Sequence, residues 1–286
     1  MVKKIISIVV SFNGGDKIAK TISALMEVTD FIVVIDNGST SENLQIIENL
    51  CDDSVVMIKL NENKGIGYAL NVGVNFAKKN GYDWVLTMDQ DTIVSSSLVA
   101  AFKKYSEFNP SVMFMAPVVI DRNKQLRHSK NCLLDYAITS GNLLNIGIFS
   151  KIGLYNEQLF IDGVDFDFSL RARNAGIEIH EVNQAVIYHE LGDEHGEVGC
   201  LSKFYSRHSP TRRYYIYRNL FFLLKNYSLT NPTFAIKTML SHVLMFFAIL
   251  IYEHDGNGRE SRKLIWLGIK DYFSGRMGPI NTEKKV

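Results

Sequence analysis

Two carboxylates one residue apart, Asp89 and Asp91, close the apolar run Trp84-Val85-Leu86-Thr87-Met88. Where a buried strand opens into a loop, such a pair can hold a hard divalent cation and leave positions open for a diphosphate. The same residues can also do no more than solvate a turn, so their neighbours decide. Three more carboxylates, Asp162, Asp165 and Asp167, follow Phe160-Ile161 and open an amphipathic stretch that runs to Asn174, with Gly176 placed to stop it. Asp162 and Asp165 stand at capping-box spacing, with Asp in place of the usual Glu or Gln.

The elements that position these groups read as α/β. Between residues 5 and 89 apolar strands alternate with helical patterns, which calls for a parallel sheet covered by helices. The strands are Ile5–Ser11, residues 31–36, Val55–Lys59 and Trp84–Asp89, and the helices lie near residues 17–26, 41–50 and 67–80. Each strand is a continuous apolar run, as burial on both faces requires. Ligands of such sheets bind outside the carboxyl ends of the strands. Those ends carry Phe12-Asn13-Gly14, Asp36-Asn37-Gly38-Ser39, residues 61–65 with Asn63 and Gly65, and Asp89-Gln90-Asp91, so four polar clusters face one crevice.

With 286 residues, 47% hydrophobic and 21% charged, the chain forms one large domain, or a domain plus an appendage. The net charge of +1 hides an asymmetry: residues 203–286 hold 14 Lys and Arg against 5 Asp and Glu, or +9, which leaves −8 on residues 1–202. The two parts meet different partners. Cys51, Cys132 and Cys200 lie far apart without CxxC spacing, which fits a reducing cytoplasm. Lys3-Lys4 before an apolar run imitates a signal peptide, but the run is short and meets Asn13-Gly14-Gly15-Asp16, so it reads as a first strand.

Two phosphate motifs fail. Gly65-Ile66-Gly67-Tyr68-Ala69-Leu70 ends in Leu and follows the third strand, unlike a dinucleotide fingerprint, and no GxxxxGK[ST] run exists. Asp36 could accept from a base N–H or a ribose hydroxyl, or close an Asx-turn into Gly38. Arg212-Arg213-Tyr214-Tyr215-Ile216-Tyr217-Arg218 mixes cations with aromatics, yet no base-reading motif accompanies it, so no nucleic-acid partner is expected. Arg forks suit diphosphates, and a basic helix face packed by Tyr rings is the alternative.

The ordered set Val9-Val10-Ser11-Phe12-Asn13, Val34-Ile35-Asp36-Asn37-Gly38-Ser39, Asn61-x-Asn63-x-Gly65-Ile66-Gly67, Asp89-Gln90-Asp91 and Phe160-Ile161-Asp162-Gly163-Val164-Asp165-Phe166-Asp167 resembles family-two glycosyltransferases of the GT-A fold, the Rossmann-like fold of nucleotide-diphospho-sugar transferases. With Leu170-Arg171-Ala172-Arg173 and Arg213-Tyr214-Tyr215-x-Tyr217-Arg218-Asn219, it looks more narrowly like bacterial rhamnosyltransferases that build surface polysaccharides. The match covers about residues 4–220. The resemblance implies an inverting enzyme that uses a nucleotide-diphosphate sugar, here dTDP-rhamnose, with Mg²⁺ or Mn²⁺, and extends a lipid-linked glycan. Two rivals keep the fold: a sugar nucleotidyltransferase, against which the missing basic phosphate loop argues, and a noncatalytic glycan-assembly subunit.

Carried over by motif, Asn13 sits in the donor loop with Asn63 and Gly65, Asp36 holds the nucleobase, and Asp89 and Asp91 form the metal-diphosphate pair. Departure of the nucleotide diphosphate builds negative charge that a held cation stabilises. An inverting displacement needs a base opposite the leaving group. Asp165 matches the family's Glu-Asp carboxylate, with Val164 where relatives carry the acid, and is expected to be the base, with Asp162 capping or touching the acceptor. Arg171 and Arg173 cannot share one helix face, so one pairs with a carboxylate and the other is solvated. Gly141, in Ser140-Gly141-Asn142, lines the donor or forms a plain turn. His189 is a third metal ligand or a hydrogen-bonded strand end. Arg213 and Arg218 clamp the donor or a lipid diphosphate. Residues 192–199, with Asp193, Glu194, His195 and Glu197, form a lid or a solvated loop.

Beyond Asn219, residues 220–224 and 234–252 are strongly apolar, but Lys237 and His242 interrupt the second stretch. A spanning helix wants about 20 apolar residues. Flanked by Arg259, Arg262, Lys263, Lys270, Trp266 and Tyr272, these segments resemble interfacial helices drawn to anionic lipid, or a homodimer interface. The organisation expected is residues 1–219 as a GT-A domain and 220–286 as a helical appendage, peripheral on the inner face of the plasma membrane.

Overall fold

The computed structural model describes residues 4–121, 131–189, 201, 204–205, 208–253 and 256–281. Strands β1 (Ile5–Ser11), β2 (Ile32–Asp36), β3 (Val55–Lys59) and β4 (Trp84–Asp89) pair in parallel in the order β3-β2-β1-β4. Every residue of β1 and β2 is buried. Helices α1 (Asp16–Met26) and α2 (Ser41–Glu48) cover one face, where Ile18, Ile22 and Ile47 meet Val9 and Val34. Helix α3 (Ile66–Lys79) covers the other, where Leu70 and Val74 meet Ile6, Ile8 and Val33. The continuous apolar strands thus reflect a sheet buried on both sides.

After β4 come β5 (Thr92–Val94), α4 (Leu98–Phe108), β6 (Phe114–Asp121), β7 (Cys132–Leu134), β8 (Leu143–Asn145), α5 (Ile148–Ile152), a 3-10 turn (Glu157–Leu159), α6 (Val164–Asn174) and β9 (Ile179–His189). They extend the sheet as β4-β8-β6-β9-β5, with β7 paired to β9, giving nine strands among the described residues. Strand β8 runs antiparallel to β4. Pro117 stands at the register shift of the β6–β9 pair, where a missing N–H is tolerated. From β1 the chain passes to β2 and β3 on one side and to β4 on the other. The β1–β4 boundary is therefore a topological switch point, and its carboxyl end, where Val10 pairs with Asp89, is where such sheets bind ligands.

Three helices follow, α7 (Pro210–Tyr227), α8 (Pro232–Tyr252) and α9 (Gly256–Phe273). The Ser209 hydroxyl accepts from the Arg212 N–H and Pro210 fills the first turn of α7. The 219/220 division falls inside α7, whose Leu220 and Leu223 are 4% and 3% exposed. Of the segments expected to face lipid, residues 220–224 therefore give Leu220 and Leu223 to the core. Helix α8 runs unbroken through Lys237 and His242. With 21 residues and mean hydropathy 2.0 it is long and apolar enough to cross a membrane by length and composition, with 22% of its apolar window buried.

Candidate functional site

At the switch point lies a crevice of about 580 Å³ whose lining includes Asp89, Asp91, Asp162, Asp165, Arg212 and His242. Its donor-side rim is tied together by side chains. Gln90 accepts from the Phe12 N–H at 2.8 Å and donates back to the Phe12 carbonyl at 3.3 Å, locking the β1 loop to the β4 loop. Asn13, in the left-handed region at φ 51°, donates its N–H to Ser39 Oγ and accepts from the Thr40 N–H at 2.9 Å. It is exposed beside the crevice and joins the β1 and β2 loops. Asp36 is 1% exposed: its Oδ2 accepts from the Gly38 and Ser39 N–H groups at 3.1 and 3.0 Å. The Asx-turn is thus formed, while Oδ1 is buried without a hydrogen-bond partner.

Asn63 accepts from Asn37 Nδ2 and from the Gly65 N–H, and both asparagines line the crevice. Gly65 has φ 88°, and a Cβ there would lie 2.5 Å from the Phe160 carbonyl oxygen. The adjacent Ile66 N–H donates to that oxygen at 2.7 Å. Only glycine lets the β3–α3 loop approach the segment that carries the carboxylates.

That segment is held in an uncommon shape. Phe160, Asp162 and Gly163 all have positive φ, at 65°, 60° and 85°. Asn219 Nδ2 donates to the carbonyls of Leu159, Ile161 and Asp162 at 2.9, 2.8 and 2.7 Å. Strain of this kind persists where surrounding bonds over-determine it. Neither Asp162 nor Asp165 caps α6: its N-cap is Gly163, without a side-chain cap bond. Asp162 is gripped by Arg212, and Asp165 lies in the first turn, accepting from the Phe166 N–H at 2.9 Å. Burial pushes the Asp165 carboxyl up to about 6; the charges of Asp162 and Asp89 add to the rise, and the Phe166 N–H opposes it. Burial also raises Asp162, against the pull of Arg212. Asp167 is 2% exposed, paired with Arg171 and bonded to the Tyr227 hydroxyl at 2.6 Å. Arg173 pairs with Asp135 at 3.2 Å, so both helix arginines find carboxylates and neither is merely solvated.

Gly141 is not on the lining. At φ 84° it is buried, its N–H donates to the Thr87 carbonyl at 2.7 Å, and Ile138 and Thr139 reach the crevice instead. Arg213 and Arg218 require a correction. Both are 0% exposed: Arg213 pairs with Glu253, and Arg218 donates to the carbonyls of Gln158, Leu159 and Gly278 while its guanidinium stacks over Tyr214 and Tyr215. The Tyr-packed alternative describes them. Helical phase explains it: Arg212, Ile216, Asn219 and Leu223 recur at three and four residues and line the crevice, and residues 213 and 218 fall off that stripe. Reading this period from Arg212 would have found the crevice-facing cation.

In the sequence His242 is no more than an interruption of an apolar stretch. It lines the crevice from α8, its Nδ1 donating to the Thr238 carbonyl at 2.8 Å, and burial lowers its pKa. The backbone of His189 pairs with Thr92; its side chain, like residues 192–199, lies outside the described residues. Among the described residues no three or more His, Cys, Asp or Glu side chains stand close enough to hold a metal ion by themselves.

Solved structures share this fold. Staphylococcus aureus TarS 1-349 superposes with a TM-score of 0.58 at 15% identity, over 96% of this chain and 92% of that one. GalNAc-T7, solved with UDP, GalNAc and Mn²⁺, gives 0.55 at 15% identity, over 66% of this chain and 44% of that one. The sequence profile of glycosyl transferase family 2 matches residues 7–163, and the chain belongs to that family. It is 29% identical over 246 residues to the dTDP-rhamnosyl transferase RfbF of Shigella flexneri, covering 79% of this chain and 81% of the relative. The poly-beta-1,6-N-acetyl-D-glucosamine synthase of Staphylococcus aureus (strain MSSA476) is 28% identical over 134 residues, which span 32% of its length. The protein is a glycosyltransferase with an α/β GT-A fold and C-terminal helices, close in sequence to rhamnosyltransferases.

Proposed function

We propose that this enzyme transfers rhamnose from dTDP-rhamnose to a lipid-linked glycan, with inversion at the anomeric carbon and with a divalent cation. One observation carries the chemistry: Asp165, raised to about 6, lines the same switch-point crevice as Asp89 and Asp91. A base poised near working pH is what a single displacement needs. The acceptor hydroxyl attacks the anomeric carbon, its proton passes to an Asp165 oxygen, and the bond from that carbon to the diphosphate oxygen breaks, releasing dTDP. Likeness to RfbF supports the donor, and TarS 1-349, solved in complex with UDP-GlcNAc, is a neighbour that binds a nucleotide sugar.

The crevice carboxylates Asp89 and Asp91, one residue apart, suit Mg²⁺ or Mn²⁺ completed by phosphate oxygens and water. Asp89 and Asp91 would hold the ion, which supplies charge stabilisation to the leaving diphosphate. Asn13, Asn63 and Gly65 shape the donor rim, and Asp36 holds the β2 loop of that rim through its Asx-turn. Arg212 takes the clamp role first assigned to Arg213 and Arg218. Work at the cytoplasmic face of the plasma membrane fits an acceptor anchored there. The test is a screen of dTDP-, UDP- and GDP-sugars for nucleoside diphosphate release with and without Mn²⁺. Preference for dTDP-rhamnose is expected; pyrophosphate release from a nucleoside triphosphate would favour the nucleotidyltransferase, and binding without turnover the noncatalytic subunit.

A further inference from the structure

Helix α8 carries two opposed faces. Phe234, Thr238, His242, Met245 and Ile249 recur at three and four residues along one side. Thr238 and His242 line the crevice, Phe234 packs against α6 and α7, and Met245 and Ile249 pack against α7 and α9. About half a turn away by helical phase, Ile236, Leu240, Val243, Phe247 and Ile251 are 69%, 58%, 39%, 51% and 48% exposed. Lys237 is the single Lys, Arg, Asp or Glu in the helix. Helix α9 meets α8 in the cluster of Tyr217, Ile249 and Ile265. It turns Arg259, Lys263, Trp266, Lys270 and Phe273 outward at alternating intervals of four and three. Glu260 is exposed beside that stripe.

An apolar band of this length marks a contact surface, and the occupant follows from charge. In a two-fold dimer the same patch meets itself, which would bring the cations of α9 toward those of its partner. Anionic headgroups instead attract each Lys and Arg, while Trp and Phe settle among them. Crossing the bilayer is disfavoured because the inner face of α8 is packed into protein and opens on the crevice.

We propose that the outward faces of α8 and α9 form a docking surface for an anionic lipid bilayer. It holds the α7–α8 wall of the crevice about one helix diameter, ~10 Å, from the headgroups. An acceptor anchored in that bilayer then reaches Asp165 past Thr238 and His242. Delivery of an acceptor rests on the function proposed above, whereas the docking surface stands on the helices alone.

The chain has two tryptophans, Trp84, 5% exposed, and Trp266, 62% exposed, so lipid-dependent emission reports Trp266. Vesicles of phosphatidylethanolamine mixed with phosphatidylglycerol should shift its emission to the blue and, with brominated acyl chains, quench it. Phosphatidylcholine vesicles or high salt should weaken both effects several-fold. The double variants Leu240→Ser/Phe247→Ser and Lys263→Glu/Lys270→Glu should each lower vesicle flotation several-fold, with acceptor-free dTDP release from dTDP-rhamnose unchanged. Unaltered wild-type Trp266 emission with no flotation would overturn the proposal, as would a soluble dimer that the Leu240→Ser/Phe247→Ser variant dissociates. Vesicle binding by a protein that turns over no nucleotide sugar supports the surface and overturns the transferase function. Donor turnover by a protein that ignores vesicles overturns the surface alone.

Discussion

Arg212 holds Asp162 through one guanidinium edge, Nε at 3.2 Å from each carboxylate oxygen and Nη2 at 3.0 Å from Oδ1. Asp165, three residues further on, makes no ion pair among the described residues and is pushed up to about 6. Two neighbouring carboxylates in one crevice are thus driven apart in character. The one bound to a cation is suited to position, and the one without is suited to accept a proton.

Asp165→Asn should therefore remain folded, bind donor with an affinity like that of the wild type, and transfer 10²–10⁴-fold more slowly, the usual contribution of a positioned base. Calorimetric donor binding alongside initial rates checks this. An active Asp165→Asn protein beside a dead Asp162→Asn one would reverse the assignment.

The same carboxyl sets a pH signature. The folded protein binds its proton more tightly than the unfolded chain does, so the stabilisation is complete below pH ~4 and is lost as pH rises through about 6. Asp165→Asn should then exceed the wild type in stability at pH 8 by up to about 3 kcal/mol, with the gap closing near pH 4. Urea unfolding at the two pH values reads it. Wild-type kcat/KM should fall as pH drops through 6, because the base is then protonated.

Adjacent arginines should behave differently. Arg213→Ala strands the buried Glu253 carboxylate and should cost about 3–5 kcal/mol of stability. The Arg212 side chain is 46% exposed, and Arg212→Ala should change stability by no more than about 1 kcal/mol. With Arg212 as the proposed diphosphate clamp, its removal should lower kcat/KM by roughly 10–100-fold. Thermal melts and donor kinetics of the two variants decide this.

Gly65→Ala forces a side chain to φ 88° and a Cβ onto the Phe160 carbonyl. We expect a loss of more than about 1 kcal/mol and impaired transfer, measured by melting temperature and turnover.

The first four strands were legible because a parallel sheet buried on both faces leaves continuous apolar runs, and the polar clusters at their ends could be assigned to one crevice. Strands β5, β7 and β8 are three residues each, too short for a period to show. Lys237 and His242 read as breaks in an apolar stretch because composition alone does not say where a side chain points. In the folded helix Lys237 meets solvent and His242 meets the crevice. Arg213 and Arg218 suit a diphosphate by residue type alone, and helical phase puts them in the core. The grip of Asn219 on three carbonyls has no local pattern, since its partners lie 57 to 60 residues away.

The most direct measurement is the initial rate of dTDP release from dTDP-rhamnose as Mn²⁺ or Mg²⁺ is titrated into chelator-treated protein, for the wild type and for Asp89→Asn and Asp91→Asn. We expect saturable, cation-dependent release in the wild type and none above background in either folded variant. Release that ignores the cation, or persists unchanged in both variants, would contradict a site built on Asp89 and Asp91.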